Sequence, residues 1–260
     1  MTAIPLYQLD AFTDRAFGGN PAAVCPLESW LADDVMQAIA FENNLSETAF
    51  YVPEGDGFRL RWFTPKSEVP LCGHATLATA SLILEKLDTA REEVVFETLS
   101  GPLAVKRDGD ILAMDFPALP PTDVPMPDGL VDALGKAPVR FLRAVKNMAV
   151  FETEADVLAV TPDFDYIAGM EGAGLIVTAP GDASDCASRY FAPHVGINED
   201  PVTGSAHCTI VPYWASELGK TEIHARQVSE RGGDLYCRMA GDRVVIGGHA
   251  RLVLEGTFLL

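Results

Sequence analysis

Six residues in three short segments combine carboxylate, imidazole and hydroxyl groups with glycine turns, a set of groups suited to proton transfer on a small anionic molecule. A carboxylate or an imidazole can take up and release a proton, and glycine lets a ligand approach the backbone closely. The candidate residues are Glu47, Gly73, His74, Asp200, Gly204 and Ser205.

Glu47 directly precedes the segment Thr48–Val52, where a buried strand would hold its carboxylate at the strand's edge. A glutamate in a connection is more often a solvated surface charge. An internal repeat, described below, places Leu175 at the equivalent position of the second half. A carboxylate in one half and a leucine in the other is the asymmetry expected of a single proton-transferring base.

Each of the two glycine turns precedes a run of small, helix-forming residues. Gly73 and Gly204 therefore mark the starts of two predicted helices, Ala75–Lys86 and Ser205–Leu218. A helix start presents backbone N–H groups without intrahelical partners and a partial positive charge, which together attract a carboxylate. Either glycine alone could be only an entry turn, but the pair predicts a carboxylate site.

Polar side chains beside these turns could orient a substrate. The start of a helix favours a neutral imidazole, so His74 is predicted to act as a hydrogen-bond donor rather than as a cation. Asp200 could open the turn before Pro201 or hold an amino or hydroxyl group, and Ser205 could bind a carboxylate. The histidines show no metal-ligand spacing, so no metal site is predicted.

Cys72 is a further candidate, because a helix start favours the reactive thiolate form of cysteine. Aligning Gly73 with Gly204 places Thr203, not a second cysteine, opposite Cys72. This disfavours a racemase that uses two thiols, although a mechanism in which Cys72 takes part stays open.

The apolar pattern predicts the elements that must position these groups. Trp30–Asn43 has helical spacing, and Leu6–Phe12 alternates apolar and polar residues as a strand does. Phe58–Phe63 is predicted as a further strand. Ala75–Lys86 is apolar nearly all round, which is typical of a buried central helix.

The two halves of the chain repeat one another at a nearly constant offset. The segment 61–65 (RWFTP) reappears as 189–193 (RYFAP), and the glycine turns follow each copy. Four such matches have offsets of 127, 128, 131 and 132, which rise in chain order. An old duplication with small insertions gives this pattern, so the sequence predicts two similar lobes.

Five prolines lie within the eleven residues of 117–127, a composition that cannot continue a sheet. We therefore predict an N-terminal lobe over 1–116, a linker over 117–127 and a C-terminal lobe over 128–260. The fold class is α+β, with the two lobes related by pseudo-symmetry.

The composition of the chain argues against some classes of binding partner and indicates a cellular compartment. The net charge of −18 repels nucleic acid and anionic lipid, so neither is a predicted partner. The sequence has no basic N-terminal region followed by an apolar run and no stretch long enough to span a membrane, which favours a cytoplasmic protein. Five scattered cysteines without CxxC spacing are typical of reduced, buried thiols.

Several motifs in order along the chain resemble the phenazine-biosynthesis (PhzF-like) family, which shares its fold with diaminopimelate epimerase. The motifs are Gly19–Val24 (GNPAAV), Asn44–Thr48 (NLSET), Leu71–Ala78 (LCGHATLA), Asp200–His207 (DPVTGSAH) and Ser229–Gly233 (SERGG).

The resemblance implies two lobes, each a barrel-like mixed β-sheet wrapped around a central helix, and a homodimer. It also implies an isomerase in which one glutamate, here Glu47, shuttles a proton, while His74, Asp200 and Ser205 position the substrate. No metal, flavin or nicotinamide cofactor is implied. Of the thiol pair found in diaminopimelate epimerases, this chain keeps only Cys72.

The sequence thus predicts a cofactor-independent isomerase of a small carboxylate-bearing metabolite, with Glu47 as general acid and base in a cleft between the lobes. Two alternatives stay open at this point. One is a protein that binds a small carboxylate without turnover, and the other is a racemase or epimerase that uses Cys72.

Overall fold

The computed structural model describes residues 3–260 and divides them into two compact units. The first unit contains the described residues up to Asp115 together with Gly247–Leu260, and the second is Phe116–Ile246. None of the helices in this part of the chain is long and apolar enough to cross a membrane.

The first unit is a mixed β-sheet with one deeply buried helix. The strand β2 runs parallel to β3, β3 is antiparallel to β4, and β4 is parallel to β6. Its elements are β1 (Ala3–Ala11), β2 (Asn20–Pro26), α1 (Asp33–Asn43), β3 (Glu47–Glu54), β4 (Gly57–Phe63), β5 (Glu68–Val69), α2 (Gly73–Leu82), β6 (Glu93–Glu97), β7 (Leu103–Asp108) and β8 (Ile111–Pro117).

The buried helix α2 forms the centre of this unit, as its all-round apolar sequence predicts. Every residue from His74 to Leu82 is buried. The hydroxyl groups of Thr76 and Thr79 are satisfied within the helix, because each donates to the carbonyl four residues earlier, at 2.6 and 2.7 Å. A π-helical turn, Ile83–Leu87, continues the helix.

The second unit repeats the same order of pairings. The strand β11 is parallel to β12, β12 is antiparallel to β13, and β13 is parallel to β15. The repeat inferred from the sequence is thereby confirmed. The elements are β9 (Thr122–Asp123), α3 (Leu130–Leu134), β10 (Arg140–Arg143), β11 (Asn147–Val150), α4 (Glu154–Ala159), α5 (Phe164–Ala168), β12 (Leu175–Pro180), β13 (Cys186–Ala192), β14 (Ile197–Asp200), α6 (Gly204–Leu218), β15 (Glu222–Gln227), β16 (Gly233–Ala240) and β17 (Arg243–Gly248).

The end of the chain returns to the first unit, which differs from the predicted C-terminal lobe over 128–260. The last strand, β18 (Ala250–Leu259), pairs antiparallel with β1 along its whole length. Backbone hydrogen bonds between two long strands therefore determine to which unit Gly247–Leu260 belongs.

The proline-rich segment 117–127 is attached to the second unit rather than running free as a linker. Thr122 and Asp123 form the short strand β9 against β10. Just before it, the Ala118 N–H donates to the Asp242 carbonyl and the Leu119 N–H donates to the Cys208 carbonyl. Proline has no backbone N–H to donate, but the residues between the prolines still form backbone hydrogen bonds with the second unit.

Candidate active site

Glu47 is the first residue of β3 and is almost enclosed by protein. Its side chain is 11 % exposed, and it lies beside Ala22 of the parallel strand β2. The chain reaches this position through Asn44, which has a left-handed conformation (φ 49°) and donates its N–H to the Ala40 carbonyl to end α1. Asparagine adopts this conformation readily, so the turn delivers Glu47 directly to the start of the strand.

His74 faces Glu47 from the first turn of α2. Its Nε2 lies 3.2 Å from Glu47 Oε2, and the residue is 6 % exposed. On the other side of the ring, Nδ1 lies 3.3 Å from Asn20 Nδ2 and 3.5 Å from Cys72 Sγ. One imidazole thus connects an amide, a thiol and a carboxylate.

The imidazole of His74 is neutral at neutral pH. Burial lowers the pKa of His74 from 6.5 to about 3, and the Pro21 carbonyl opposes this shift only in part. Because the amide nitrogen of Asn20 can only donate, it favours the tautomer in which Nδ1 accepts and Nε2 carries the proton. In that tautomer the N–H group of the ring is the one that neighbours the Glu47 carboxylate.

Glu47, Cys72 and His74 each offer a possible metal ligand, and their donor atoms lie within 4.8 Å of one another. However, Nδ1 of the ring faces the thiol while Nε2 faces the carboxylate. The thiol, the ring and the carboxylate therefore form a chain of polar contacts, with one ring nitrogen at each neighbour.

A glycine fixes the position of Asn20 beneath His74. Gly19 has a φ of +60°, and a Cβ at this position would lie 2.1 Å from the Ala11 carbonyl oxygen. No other residue type fits without moving the backbone. The close approach of these two chain segments brings Asn20, which begins β2 and is fully buried, to the imidazole.

In the second unit, Asp200 ends β14 and is held by a chain of hydrogen bonds that starts at Gln227. The fully buried Gln227 accepts from the Thr203 N–H through Oε1 (2.9 Å). Its Nε2 donates to the Asp200 carbonyl (2.7 Å) and to Thr203 Oγ1 (3.2 Å). The Thr203 hydroxyl in turn donates to Asp200 Oδ2 at 2.5 Å.

The directions of these hydrogen bonds follow from the backbone. A backbone N–H can only donate, so Oε1 of Gln227 must face Thr203 N and the amide nitrogen must face the Thr203 hydroxyl. That hydroxyl then accepts from the amide and gives its own proton to Asp200. The chain therefore presents the Asp200 side chain to its neighbours as a hydrogen-bond acceptor.

Helix α6 begins directly after this turn. Gly204 is its first residue, and Ser205 is exposed in the first turn. His207 is fully buried, and its Nδ1 lies 2.8 Å from the Thr203 carbonyl. Burial lowers the pKa of His207 from 6.5 to about 4, opposed in part by that hydrogen bond. His207 is therefore a neutral residue that secures the first turn.

Comparison with known proteins identifies the family. Residues 9–256 match the family described as Phenazine biosynthesis-like protein. An uncharacterized isomerase of Pseudomonas aeruginosa is 52 % identical over 257 residues, with 99 % of each chain covered. A crystal structure of a phenazine biosynthesis protein of the PhzF family from Enterococcus faecalis superimposes with a TM-score of 0.97 at 46 % identity, covering 100 % of both chains.

The chain belongs to the phenazine biosynthesis-like family. The chain belongs to the activity class of isomerases, as the names of its relatives state. A hydroxyproline epimerase from Agrobacterium vitis, solved with trans-4-hydroxy-L-proline, is 10 % identical with a TM-score of 0.61, covering 98 % of this chain and 92 % of the other. This likeness concerns the fold alone, and it agrees with the predicted α+β, epimerase-like class.

In this family member the predicted site residues form two groups. Glu47, Gly73 and His74 lie together in the first unit. The three residues predicted in the second half lie within one turn at the end of β14 and the start of α6; they are Asp200, Gly204 and Ser205. Their catalytic and binding roles remain predictions.

Sequence reasoning did not find two residues that shape these groups. Asn20 lies in the GNPAAV motif and in one of the repeat matches, but nothing in its sequence context indicates a contact with a histidine 54 residues away. Gln227 ends an ordinary alternating strand, and its contacts with Asp200 and Thr203 depend on tertiary structure. The repeat match at Asn20 was a usable signal, whereas Gln227 gave none.

Proposed function

We propose that this isomerase moves a proton on a small carboxylate-bearing metabolite and that Glu47 is its general acid and base. The observation that supports this proposal most is the buried contact between the Glu47 carboxylate and a neutral His74. A neutral partner at this distance can orient the carboxylate without locking it in an ion pair. Glu47 can therefore be protonated and deprotonated during one catalytic cycle.

The proposed reaction conserves all atoms and electrons. Glu47 removes a proton from a carbon next to a carbon–carbon double bond, and the C–H bonding pair moves into the adjacent π system. The double bond shifts, and the protonated Glu47 returns the proton to a different carbon. The product is an isomer of the substrate, and the enzyme returns to its starting state without a cofactor.

The other groups are proposed to bind and orient the substrate. The first-turn N–H groups at Gly73 and Gly204 can receive a carboxylate, because each begins a helix of ten residues or more. Ser205 is exposed and can donate its hydroxyl proton to the same kind of group. Asp200, held as an acceptor by Thr203, can receive an amino or hydroxyl group.

Two further features belong to the proposal. A net charge of −18 and five buried cysteines without disulfides among the described residues fit the reducing cytoplasm. A homodimer is proposed from the family, and light scattering on the purified protein would measure it directly.

Deuterium exchange tests the chemistry before the substrate is identified. The protein would be incubated in D₂O with amino, hydroxy and unsaturated carboxylates, including L-glutamate, L-proline, L-malate and itaconate, and C–H exchange followed by NMR. We expect deuterium to enter at least one compound with the wild type and not with Glu47→Gln. The matched control is Glu54→Gln, an exposed glutamate at the far end of the same strand.

Exchange that persists in Glu47→Gln would refute the assignment of the base. If Glu54→Gln lost exchange as well, the loss would reflect damage to β3 rather than removal of the base. If no compound exchanged, the panel would be extended to larger carboxylates, and the ability of Glu47 to titrate would then be followed by NMR of its carboxyl carbon.

Cys72 supplies a second candidate mechanism, favoured by its position. Its Sγ lies 3.5 Å from His74 Nδ1, on the opposite side of the ring from Glu47. A thiol whose proton can pass to a neighbouring imidazole nitrogen could act as the second base in a two-base epimerisation. In the exchange assay, Cys72→Ala would keep full exchange under the single-base mechanism and lose it under the two-base mechanism.

A further inference from the structure

Lys146 occupies an unusual place for a lysine. It lies in the turn between β10 and β11, where its backbone carbonyl accepts from the Ala144 N–H. Lysines in hairpin turns normally extend into solvent. Here the neighbouring Val145 is exposed, whereas Lys146 is only 8 % exposed.

The ammonium group of Lys146 forms no ion pair with the described residues. Across residues 3–260, no carboxylate oxygen lies within the 4.0 Å that defines an ion pair with its Nζ. The Nζ lies 5.7 Å from the centroid of the Tyr190 ring, a cation–π contact that provides part of its stabilisation. Burial lowers the pKa of Lys146, and the nearby Cys208 and Asp200 oppose this shift only in part.

Neither of these two neighbours neutralises the lysine. Burial raises the pKa of Cys208 to about 11, so its thiol is protonated at neutral pH. No oxygen of Asp200 lies within 4.0 Å of the Lys146 Nζ in the described residues, and Oδ2 of Asp200 accepts from Thr203. A buried cation in this state is unfavourable to the folded protein unless a further anion joins it.

The surroundings of Lys146 coincide with the proposed substrate-binding turn of the second unit. Tyr190, over which Nζ lies, is the register partner of Asp200 between β13 and β14. The Cys208 Sγ lies 4.0 Å from the Gly204 carbonyl, in the first turn of α6. The ammonium is therefore close to the same turn that carries Asp200 and Gly204.

The internal repeat shows that this cation belongs to one unit alone. Lys146 immediately precedes Asn147, the first residue of β11, and its counterpart before Asn20 and β2 is Gly19. A lysine needed for the architecture shared by both units would have a counterpart in the first. The position before the first paired strand carries a charged side chain in the second unit only, so the fold shared by both units does not require this lysine.

We propose that Lys146 is a substrate-binding residue whose ammonium receives a carboxylate of the substrate beside Asp200. The pair then recognises a molecule that carries an anionic group at Lys146 and an amino or hydroxyl group at Asp200. This inference rests on the proposed function in taking the substrate to be a small carboxylate, and it adds the residue that holds the charge.

The first experiment compares the thermal stability of wild type, Lys146→Met and Lys146→Arg in sodium acetate and in sodium chloride of equal ionic strength. Acetate is the probe for the carboxylate site, and Lys146→Met controls for general salt effects. We expect acetate to raise the Tm of wild type and Lys146→Arg above the chloride value, and to have no such effect on Lys146→Met. Glu47→Gln should respond as the wild type does, because anion binding needs no base.

The stability of the variants without acetate separates a binding role from a structural one. Methionine has nearly the shape of the lysine stem and removes the buried charge, so Lys146→Met should raise the Tm by about 2–4 °C. For any compound that exchanges deuterium in the wild type, the same variant should raise KM by about 10- to 100-fold, with Lys146→Arg close to wild type.

An equal response of wild type and Lys146→Met to acetate, including no response in either, would overturn the proposal. So would a Tm of Lys146→Met below that of the wild type, which would make the lysine structural. These readouts do not depend on turnover. The two proposals can fail separately. If acetate stabilises the wild type but not Lys146→Met, while deuterium exchange persists in Glu47→Gln, Lys146 is supported as the binding residue and Glu47 is refuted as the base.

Discussion

Acid should destabilise this protein through two buried histidines. Burial lowers the pKa of His74 from 6.5 to about 3 and that of His207 from 6.5 to about 4. Below pH 6.5 the unfolded chain binds a proton at each of these positions, whereas the folded chain does not. The free energy of unfolding therefore falls as the pH falls through 6.5, until the folded pKa values are reached.

The size of the effect follows from the same values. At pH 5 the medium is about 1.5 pH units below the unfolded pKa and still above both folded values, so each histidine costs about 2 kcal/mol. The two together should lower the free energy of unfolding by about 4 kcal/mol between pH 7 and pH 5. This is a large part of the ~5–15 kcal/mol that stabilises a typical protein.

Urea unfolding at several pH values between 7 and 5 would measure this loss. His207→Asn keeps a donor near the Thr203 carbonyl but cannot titrate in this range, so it should reduce the pH dependence by about half. His194→Asn, at an exposed histidine, is the matched control and should change nothing. Stability that stays constant from pH 7 to pH 5, or an unchanged slope in His207→Asn, would refute the reasoning.

Four further substitutions test the positions that shape the site and its core. Gly19→Ala should lower stability by about 3 kcal/mol, measured by urea unfolding, because its Cβ would meet a backbone oxygen at 2.1 Å. Gln227→Leu should lower the free energy of unfolding by about 1–3 kcal/mol, because it leaves the Thr203 N–H without its acceptor. Thr203→Ser keeps the hydroxyl that donates to Asp200, so its KM should be close to that of the wild type. Leu77→Ala, in the fully buried α2, should cost about 2–5 kcal/mol in the same assay and leave the KM of the folded fraction unchanged.

The sequence predicted the elements that carry strong periodicity or a strong start signal. The helix expected over Ser205–Leu218 begins at Gly204, and the one expected over Trp30–Asn43 is shorter at its start by three residues. The short helices α3, α4 and α5 were not anticipated, because five or six residues are too few to show a helical repeat.

The parts of the site that the sequence could not supply depend on contacts between distant segments. The motif around His74 is visible in the sequence, but its contact with Asn20 is made across 54 residues and needs the close approach at Gly19. The return of β18 to β1 follows from pairing between the two ends of the chain, which no local pattern encodes. Burial of a lysine in a hairpin turn is likewise a tertiary effect.

Two positions of the internal repeat differ in charge between the two units. Glu47 begins β3 and Leu175 begins the equivalent strand β12, while Gly19 precedes β2 and Lys146 precedes β11. At each of these two positions only one copy carries a charge, and the two charges have opposite sign. Under the proposed function, one of these charged residues is the base, Glu47, and the other, Lys146, binds the anionic group of the substrate. Leu175 is fully buried in the second unit, so Leu175→Glu should place an unpaired charge in its core and lower its stability, measured by urea unfolding.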